Sequence, residues 1–308
     1  GKLIDATYLF CKSRKLAIIE SATAAGLALL KPADYDPMHA NTFGVGQLIH
    51  AALNEGSKQI ILGLGGSATN DAGTGLAHAM GFRFLDNANN EITPCGANLS
   101  RITHIDTENI DPRLATTRLE IACDVSNPLL GQNGAINVYG PQKGATRKQI
   151  ALLEQGFQHF ARVLECYYGK PVSQKKGAGA AGGLGAGMMA LFNGCLKSGA
   201  DLLLDLLEFE KLAADVDLII TSEGKLDTQT QFGKAPYVLA QRAANKGIPC
   251  IVIAGQVEGN YQRYYDMGFS EVFSLCSNTI NPDRAMKEAS KLLSDTSKNI
   301  ASLTHKNL

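Results

Sequence analysis

The sequence lacks the cysteine and histidine spacings of a zinc site or a disulfide framework. Its seven cysteines form no CxxC pair, and its six histidines form neither an HExxH nor an HxxxH motif. Scattered cysteines in odd number are typical of reduced thiols, which favours a cytoplasmic protein whose thiols pack as small apolar groups. The missing ligand spacings argue against a zinc site.

The sequence also lacks an excess of either charge and any long apolar run. Its 29 basic residues balance 29 acidic ones without a block of like charges, which argues against a nucleic-acid-binding arm. No apolar run approaches the roughly 20 residues of a membrane-spanning helix, and no signal-peptide pattern opens the sequence. We therefore expect small-molecule ligands, with no nucleic acid and no membrane, and a local site for any anion.

Three kinase signatures are absent as well. Neither the GxxxxGK[ST] loop of P-loop kinases nor the HRD and DFG elements of protein kinases occur in the sequence, which excludes those folds at the level of motif. Phosphoryl transfer by another fold stays open. It requires cations around the γ-phosphate, a carboxylate for Mg²⁺ and a group that orients the attacking hydroxyl.

Strand-like and helix-like segments alternate along the 308 residues, a length that favours two domains. The apolar patterns predict strands at residues 15–20, 59–62, 118–122, 217–221, 249–253 and 271–275. They predict helices at residues 42–53, 147–168 and 237–245. This alternation indicates an α/β fold, and the segments at 217–253 form a βαβ unit with a polar turn at 221–227.

Residues 60–73, IILGLGGSATNDAG, are the most informative segment. They join a short apolar strand to a glycine hinge and a polar turn, from which a helix begins near Thr74. Unpaired N–H groups and a positive helix end can bind an anion there. Read differently, Gly63-x-Gly65-x-x-Ala68 with Asp86 fits a dinucleotide fingerprint, which keeps an NAD-dependent oxidoreductase as an alternative.

Three charged, glycine-containing loops lie at the ends of predicted elements: CDVSNP at 123–128, GPQKGA at 140–145, and SEGKLD at 222–227 with Gly233 and Lys234 beyond it. Together they favour a site over isolated solvated charges. A further run, GAGAAGGLGAG at 177–187, is compatible with a linker, a close packing surface or a second ligand cradle.

Four long motifs, in this order, resemble the class I glycerate kinase family. They are GLGGSATNDAGTGLAHAMGFRFLD, CDVSNPLLGQNGAINVYGPQKGA, GAGAAGGLGAGMMALFNGCLKSGADLLLDLL and VDLIITSEGKLDTQTQFGKAPYVLAQRAANKGIPCIVIAG. The resemblance runs from near residue 15 to the end. It departs at Ala72 and Ser222, where the family usually has glycine. The family's opening segment, with DSFKG and ADGGEG motifs, is not found, so we expect either a longer natural chain or an atypical member.

The resemblance implies a Rossmann- or flavodoxin-like domain interrupted by a restriction-enzyme-like α/β domain. Residues 1–211 would then form the inserted domain and residues 212–308 the carboxyl-terminal half of the other. It further implies ATP-dependent, Mg²⁺-assisted phosphorylation of D-glycerate, at the 2-hydroxyl, in an interdomain cleft of a cytoplasmic enzyme. A homo-oligomer stays open, and so does a non-catalytic ligand-binding remnant of a kinase.

The chemistry of the residues, more than the resemblance, suggests individual roles. Anion or substrate binding is assigned to Gly65, Gly66, Ser67, Thr69, Asn70, Asn127 and Lys197. Catalytic roles are assigned to Asp124, Lys143, Asp71 and Glu223, with Asp124 as base or metal ligand. Nucleotide binding is assigned to Lys225, Asp227, Gly233 and Lys234.

Overall fold

The computed structural model describes residues 2–228, 230, 233–277 and 279–304. The chain divides into two compact units, Gly1–Lys197 and Ser198–Leu308. Both contain parallel strands connected by helices, so the predicted α/β class is confirmed. No helix among the described residues is long and apolar enough to cross a membrane.

The first unit contains seven strands and six α-helices in its described residues. The strands are β1 (Leu9–Cys11), β2 (Leu16–Glu20), β3 (Gln59–Gly63), β4 (Arg83–Leu85), β5 (His104–Asp106), β6 (Arg118–Ala122) and β7 (Cys195–Lys197). The helices are α1 (Ala22–Ala25), α2 (Phe43–Asn54), α3 (Thr74–Ala79), α4 (Ala135–Tyr139), α5 (Arg147–Tyr168) and α6 (Ala180–Phe192).

A five-stranded sheet with the order β1-β2-β3-β6-β7 organises this unit. Strand β1 is antiparallel to β2, whereas β2, β3, β6 and β7 are parallel, so their carboxyl ends share one edge. Ile19, Ile60 and Ile121 pack from the sheet against buried residues of α2. Burial of such side chains contributes about 1.5–3 kcal/mol each. The apolar strands thereby hold the carboxyl ends of β2, β3 and β6 in fixed positions.

A second core of the first unit lies around α5 and the antiparallel pair β4–β5. Phe157 and Phe160 of α5 pack with Phe82 and Phe84. The helix begins at a capping box in which the Thr146 hydroxyl accepts the Gln149 N–H and the Gln149 side chain accepts the Thr146 N–H. The predicted bounds of α5 are the observed ones, because the capping signal and the amphipathic pattern indicate the same helix.

The second unit contains a parallel three-stranded sheet with the order β10-β9-β8. The strands are β8 (Ile219–Leu226), β9 (Cys250–Val257) and β10 (Glu271–Ser274). The helices are α7 (Gly199–Leu206), α8 (Phe209–Leu212), α9 (Ala235–Asn245), α10 (Gln262–Asp266), α11 (Pro282–Lys287) and α12 (Ala289–Thr304). The predicted βαβ unit is confirmed as β8-α9-β9.

One detail of the second unit differs from the sequence-based expectations. The polar turn expected at 221–227 is wrong, because β8 continues to Leu226 and pairs with β9 through Glu223 and Lys225. The boundary between the two compact units lies between Lys197 and Ser198, since α7 packs on α9 and Asp205 pairs with Arg242, and the domain boundary expected at residue 211 stays a prediction. The names expected for the two domains stay predictions.

The glycine run at 177–187 is a close packing surface at the start of α6. Ala181, Gly182 and Gly183 all have positive φ angles, which kink the helix. A Cβ at Gly182 would lie 1.8 Å from the Thr69 carbonyl oxygen, and the Gly182 carbonyl accepts the Ala72 N–H at 3.0 Å. Backbone thus packs directly on the segment that follows β3, which side chains would prevent.

We expect Gly182→Ala to lower the free energy of unfolding by about 4 kcal/mol or more, because its Cβ overlaps backbone. Gly169→Ala is the matched control, since Gly169 has a similar φ of 71° and a Cβ added there would have no atom within 4 Å. At that position only left-handed strain of about 1–2 kcal/mol applies. Urea denaturation of both variants measures the difference, and equal losses would contradict the packing role.

Candidate active site

A cleft of about 540 Å³ opens at the carboxyl edge of the first unit's sheet. Its walls are the ends of β2, β3 and β6, with residues 63–67 and 122–125 following two of these strands. Tyr139, Gln142, Lys143 and the kinked start of α6 close the remaining side. Clefts beyond the carboxyl ends of parallel strands are the usual ligand sites of α/β sheets.

The glycine loop of the cleft is fixed by backbone hydrogen bonds to the last residue of α1 and to the segment that follows it. The Gly66 carbonyl accepts the Leu27 N–H at 2.8 Å, and Ala68 donates to the Ala25 carbonyl at 2.8 Å. Gly66 has a φ of 68°, and no atom lies within 4 Å of a Cβ added at Gly65. Backbone N–H groups of a rigid, side-chain-free loop can approach an anion closely.

Lys143 is buried beneath this loop, with 2% of its surface exposed. It ends the 3₁₀ turn that follows α4. Its Nζ donates to the Ser67 Oγ at 3.2 Å, the Thr69 carbonyl oxygen at 2.7 Å and the Asn70 Oδ1 at 3.3 Å. The structure therefore brings three predicted site residues together around the amine of a fourth.

Burial lowers the pKa of Lys143 to about 7, although the Asp71 charge acts in the opposite direction. A buried ammonium group loses its hydration. The three neutral acceptors around Lys143 replace that hydration only in part. An anion bound at the cleft would favour the protonated form and raise this pKa. The amine is thus poised to respond to an anionic ligand near neutral pH.

This lowered pKa predicts a pH-dependent stability. Between pH 7 and about 10 the unfolded chain keeps the Lys143 proton that the folded chain has lost, so the free energy of unfolding rises with pH by up to about 1.4 kcal/mol per unit. Below pH 7 both states are protonated and the contribution is constant. Lys143→Met should lose this slope relative to the wild type.

Urea denaturation at pH 6, 7.5 and 9 tests the slope. Lys148→Met is the control, because Lys148 lies exposed on α5, and its curve should parallel that of the wild type. Parallel curves for Lys143→Met as well would show that Lys143 does not titrate near neutrality in the folded protein.

Asp71 is not placed in the cleft but is completely buried beneath α2 and α3. Its Oδ2 accepts the Thr42 N–H and hydroxyl, each at 2.8 Å, and the Gly75 N–H at 3.0 Å. Burial raises the pKa of Asp71, against the effect of these donors. The carboxylate therefore occupies the amino terminus of α3, where the sequence suggested an external anion, and its geometry suits a structural role.

Thr69 and Asn70 are likewise buried and contact Lys143 instead of lining the cleft. The Asn70 Nδ2 also donates to the Pro37 carbonyl at 3.1 Å. The Thr69 Oγ1 is buried and has no hydrogen-bond partner among the described residues. The geometry makes both residues supports of the amine, whereas Ser67 reaches the cleft itself.

Asp124 lies exposed on the cleft wall, two residues after the end of β6. The loop that carries it is held by Asn127, whose Oδ1 accepts the Tyr139 hydroxyl at 2.7 Å and whose Nδ2 donates to the Asn133 carbonyl at 2.8 Å. Asn127 thus positions Tyr139, which lines the cleft. A carboxylate at this place can hold a hydroxyl or a divalent cation.

Lys197 is paired with Glu120 and does not line the cleft. Its Nζ lies 2.9 Å from Oε1 of Glu120, which is buried in the middle of β6. Burial alone would raise the pKa of Glu120, but hydrogen bonds from Lys197 and Gln59 outweigh it and hold that pKa below its ordinary value. The cation therefore balances a buried carboxylate.

The remaining predicted residues lie in the second unit, near the end of β8 and the start of α9. Lys225 pairs with Glu258 at 2.7 Å, and Lys234 lies 3.8 Å from Asp227. Glu223 accepts the N–H of Gly224 at 3.1 Å. Gly233 has a φ of 97° just before Lys234, the N-cap of α9. Asp227, Gly233 and Lys234 thus gather at one helix end.

Sequence reasoning missed Glu20, Cys123, Tyr139 and Gln142 as residues of the cleft wall. Glu20 ends β2, and its position after four apolar residues at the carboxyl end of a parallel strand is the signal that was available. Cys123 and Gln142 lie within the recognised loops at 123–128 and 140–145, and Tyr139 directly precedes the second. A polar residue at a strand end is therefore as informative as a charged loop.

The structure does not support the dinucleotide fingerprint. Asp86 follows β4, which pairs with the antiparallel β5 in a separate sheet, and its Oδ1 accepts the N–H groups of Ala88 and Asn90 at 2.9 Å. A ribose-binding acid would follow a strand parallel to β3 in the same sheet. Asp86 instead closes a local turn.

Comparisons with known proteins agree over nearly the whole chain. The model of the glycerate kinase family matches residues 1–305. A glycerate kinase from Halalkalibacterium halodurans is 44% identical over 301 residues, which are 98% of this chain and 79% of that protein. Glycerate 2-kinase from Escherichia coli strain K12 is 38% identical over 301 residues, with the same coverage of 98% and 79%.

One solved structure is similar throughout. The crystal structure of a Salmonella typhimurium LT2 protein provisionally named glycerate kinase 2 has a TM-score of 0.81 and 37% sequence identity. The similarity covers 100% of this chain and 80% of that chain. Sequence and fold therefore point to the same set of relatives.

Proposed function

Because the chain belongs to the glycerate kinase family, we propose that it transfers the γ-phosphate of ATP to D-glycerate, with the 2-hydroxyl as acceptor. The observation that carries this proposal is the buried amine of Lys143 beneath a glycine loop, in a cleft that Asp124 also lines. The arrangement combines anion binding with an acceptor for a hydroxyl proton, which phosphorylation of a hydroxy acid requires.

In this proposal the loop at Gly65, Gly66 and Ser67 binds an anionic group through N–H and hydroxyl donors. Lys143 supplies the positive charge, and its hydrogen bonds to the loop keep the amine fixed when the ligand binds. Either the carboxylate of glycerate or the transferring phosphoryl group fits this environment. A fixed donor set costs no reorganisation during the reaction.

Asp124 is proposed to accept the proton of the attacking hydroxyl or to hold Mg²⁺. Its exposed carboxylate lies on the cleft wall, and Mg²⁺ is commonly held by one or two carboxylates together with substrate phosphates and water. No group of three or more His, Cys, Asp or Glu side chains placed to hold a metal ion occurs among the described residues. Bound Mg²⁺ would neutralise phosphate charge.

For the second unit we propose nucleotide contacts by Lys225, Asp227, Gly233 and Lys234. The amino terminus of the 11-residue α9 and the nearby Lys234 favour negative charge there. Glu223 stays a proposed catalytic residue. We also place the reaction in the cytoplasm, which the seven free thiols suit.

ADP release with ATP, Mg²⁺ and D-glycerate tests the proposal. We expect saturable turnover with D-glycerate and ³¹P NMR signals of 2-phosphoglycerate. Turnover with another hydroxy acid but not with glycerate would contradict the substrate. Glycerate binding without turnover would instead favour the non-catalytic remnant.

A further inference from the structure

The cleft contains a second carboxylate, Glu20, at the end of β2. The strand order places β3 between β2 and β6, so Glu20 and Asp124 follow strands on opposite sides of the glycine loop. Strands two places apart are about 10 Å apart. A small ligand bound at the loop would therefore have one carboxylate on each side.

The backbone of Glu20 is held firmly while its side chain faces the cleft. Ser21 donates to the Gly63 carbonyl at 2.9 Å, and the Thr23 hydroxyl donates to the Glu20 carbonyl at 2.8 Å. Gly63 pairs with Glu20 across the sheet, and a Cβ there would lie 3.9 Å from the Glu20 Cγ. The absence of a side chain at Gly63 leaves this flank of Glu20 uncovered.

The Glu20 carboxylate has no hydrogen-bond or ion-pair partner within the described part of the chain. In a cleft built for anions, an additional negative charge repels the ligand unless it faces a hydrogen-bond donor or a cation. Glycerate carries two hydroxyl groups on adjacent carbons, and only one of them is phosphorylated. The other remains a donor throughout the reaction.

We infer that Glu20 accepts a hydrogen bond from the glycerate hydroxyl that is not phosphorylated, and so selects a dihydroxy acid over monohydroxy acids. This inference rests on the proposed function. A site built to bind a substrate hydroxyl discriminates strongly against analogues that lack it, because the polar group is then left unpaired. Glu20 is thus a specificity-determining residue, separate from the residues assigned to the transfer step.

Glu20→Ala and Glu20→Gln test this role with three small acids: D-glycerate, D-lactate and 3-hydroxypropionate. We expect the KM for D-glycerate to rise about 10- to 100-fold in Glu20→Ala, as loss of a hydrogen bond to a charged group predicts. The inhibition constant of D-lactate, which lacks the 3-hydroxyl, should stay within about threefold, whereas that of 3-hydroxypropionate, which keeps the 3-hydroxyl, should rise together with the KM for D-glycerate. Glu20→Gln, whose amide oxygen still accepts, should have an intermediate KM.

Glu55→Ala is the control, because Glu55 is an exposed glutamate outside the cleft, at the end of α2. Parallel changes for all three acids, or no change, would overturn the specificity role. So would an unchanged KM with a higher Mg²⁺ requirement, which would make Glu20 a metal ligand. A wild type without glycerate turnover would instead refute the proposed function, and this inference would fall with it.

Discussion

Replacement of Lys143 by Met should lower kcat/KM for D-glycerate by about 10²- to 10³-fold, because a fixed donor aimed at developing charge commonly contributes that much. The amine is the cationic group of the cleft wall, and its three acceptors hold it against the glycine loop. Methionine fills a similar volume without charge, so the variant should fold. Steady-state kinetics with ATP and D-glycerate measures the loss.

Two further variants separate charge from packing at this position. Lys143→Arg keeps the charge, but a planar guanidinium does not fit three acceptors arranged around a single amine, so it should restore little activity. Lys148→Met removes an exposed lysine of α5 and should leave the kinetics unchanged. More than about a tenth of wild-type activity in Lys143→Met would exclude the amine from the reaction.

Asp124→Asn should lower kcat by about 10²- to 10⁴-fold, whether the carboxylate accepts the hydroxyl proton or holds Mg²⁺. Asp124 is exposed, so the free energy of unfolding should change by less than about 0.5 kcal/mol. Kinetics and urea denaturation of the same preparation provide both values. A large loss of turnover with unchanged stability is the expected combination.

Ser126→Ala is the control for Asp124→Asn, because Ser126 is an exposed residue of the same loop. It should keep near wild-type kcat. Near-normal turnover in Asp124→Asn would remove Asp124 from the chemistry, and an equal loss in both variants would indicate that the loop's conformation, not the carboxylate, was disturbed.

The sequence predicted the architecture where local signals and burial agree. The strand at Arg118–Ala122 and the helix at Arg147–Tyr168 have the predicted bounds, because apolar periodicity, caps and turns coincide there. The end of β8 was predicted too early, since Ser222 to Lys225 resemble a loop in composition. Pairing with β9 extends the strand, and such pairing is invisible in local sequence.

For the candidate site, the sequence identified the parts that follow strands and contain charge or glycine. Ser67, Asp124 and Lys143 line one cleft, as expected from loops at a shared sheet edge. The catalytic role of Asp71 stays a prediction, because a buried carboxylate that caps a helix has the same sequence appearance as a catalytic one. Its bonds to Thr42 come from a residue 29 positions earlier in the chain.

Lys197 and Glu20 are two further residues whose surroundings the local sequence does not reveal. Lys197 was predicted to bind an anion, but its charge is paired with Glu120 on the neighbouring strand. Glu20 was overlooked, although its strand end faces the cleft. Strand order places Glu120 beside Lys197 and places Glu20 at the cleft. Neighbouring residues in the sequence do not reveal this order.

The most direct test of the central claim is a crystal structure with D-glycerate and a non-hydrolysable ATP analogue bound. The claim is that the cleft at the carboxyl edge of β2, β3 and β6 holds the acceptor substrate. We expect electron density for glycerate within hydrogen-bond distance of the 65–67 loop, with Lys143 beside an anionic group. Glycerate bound elsewhere, with this cleft filled only by solvent, would contradict the account.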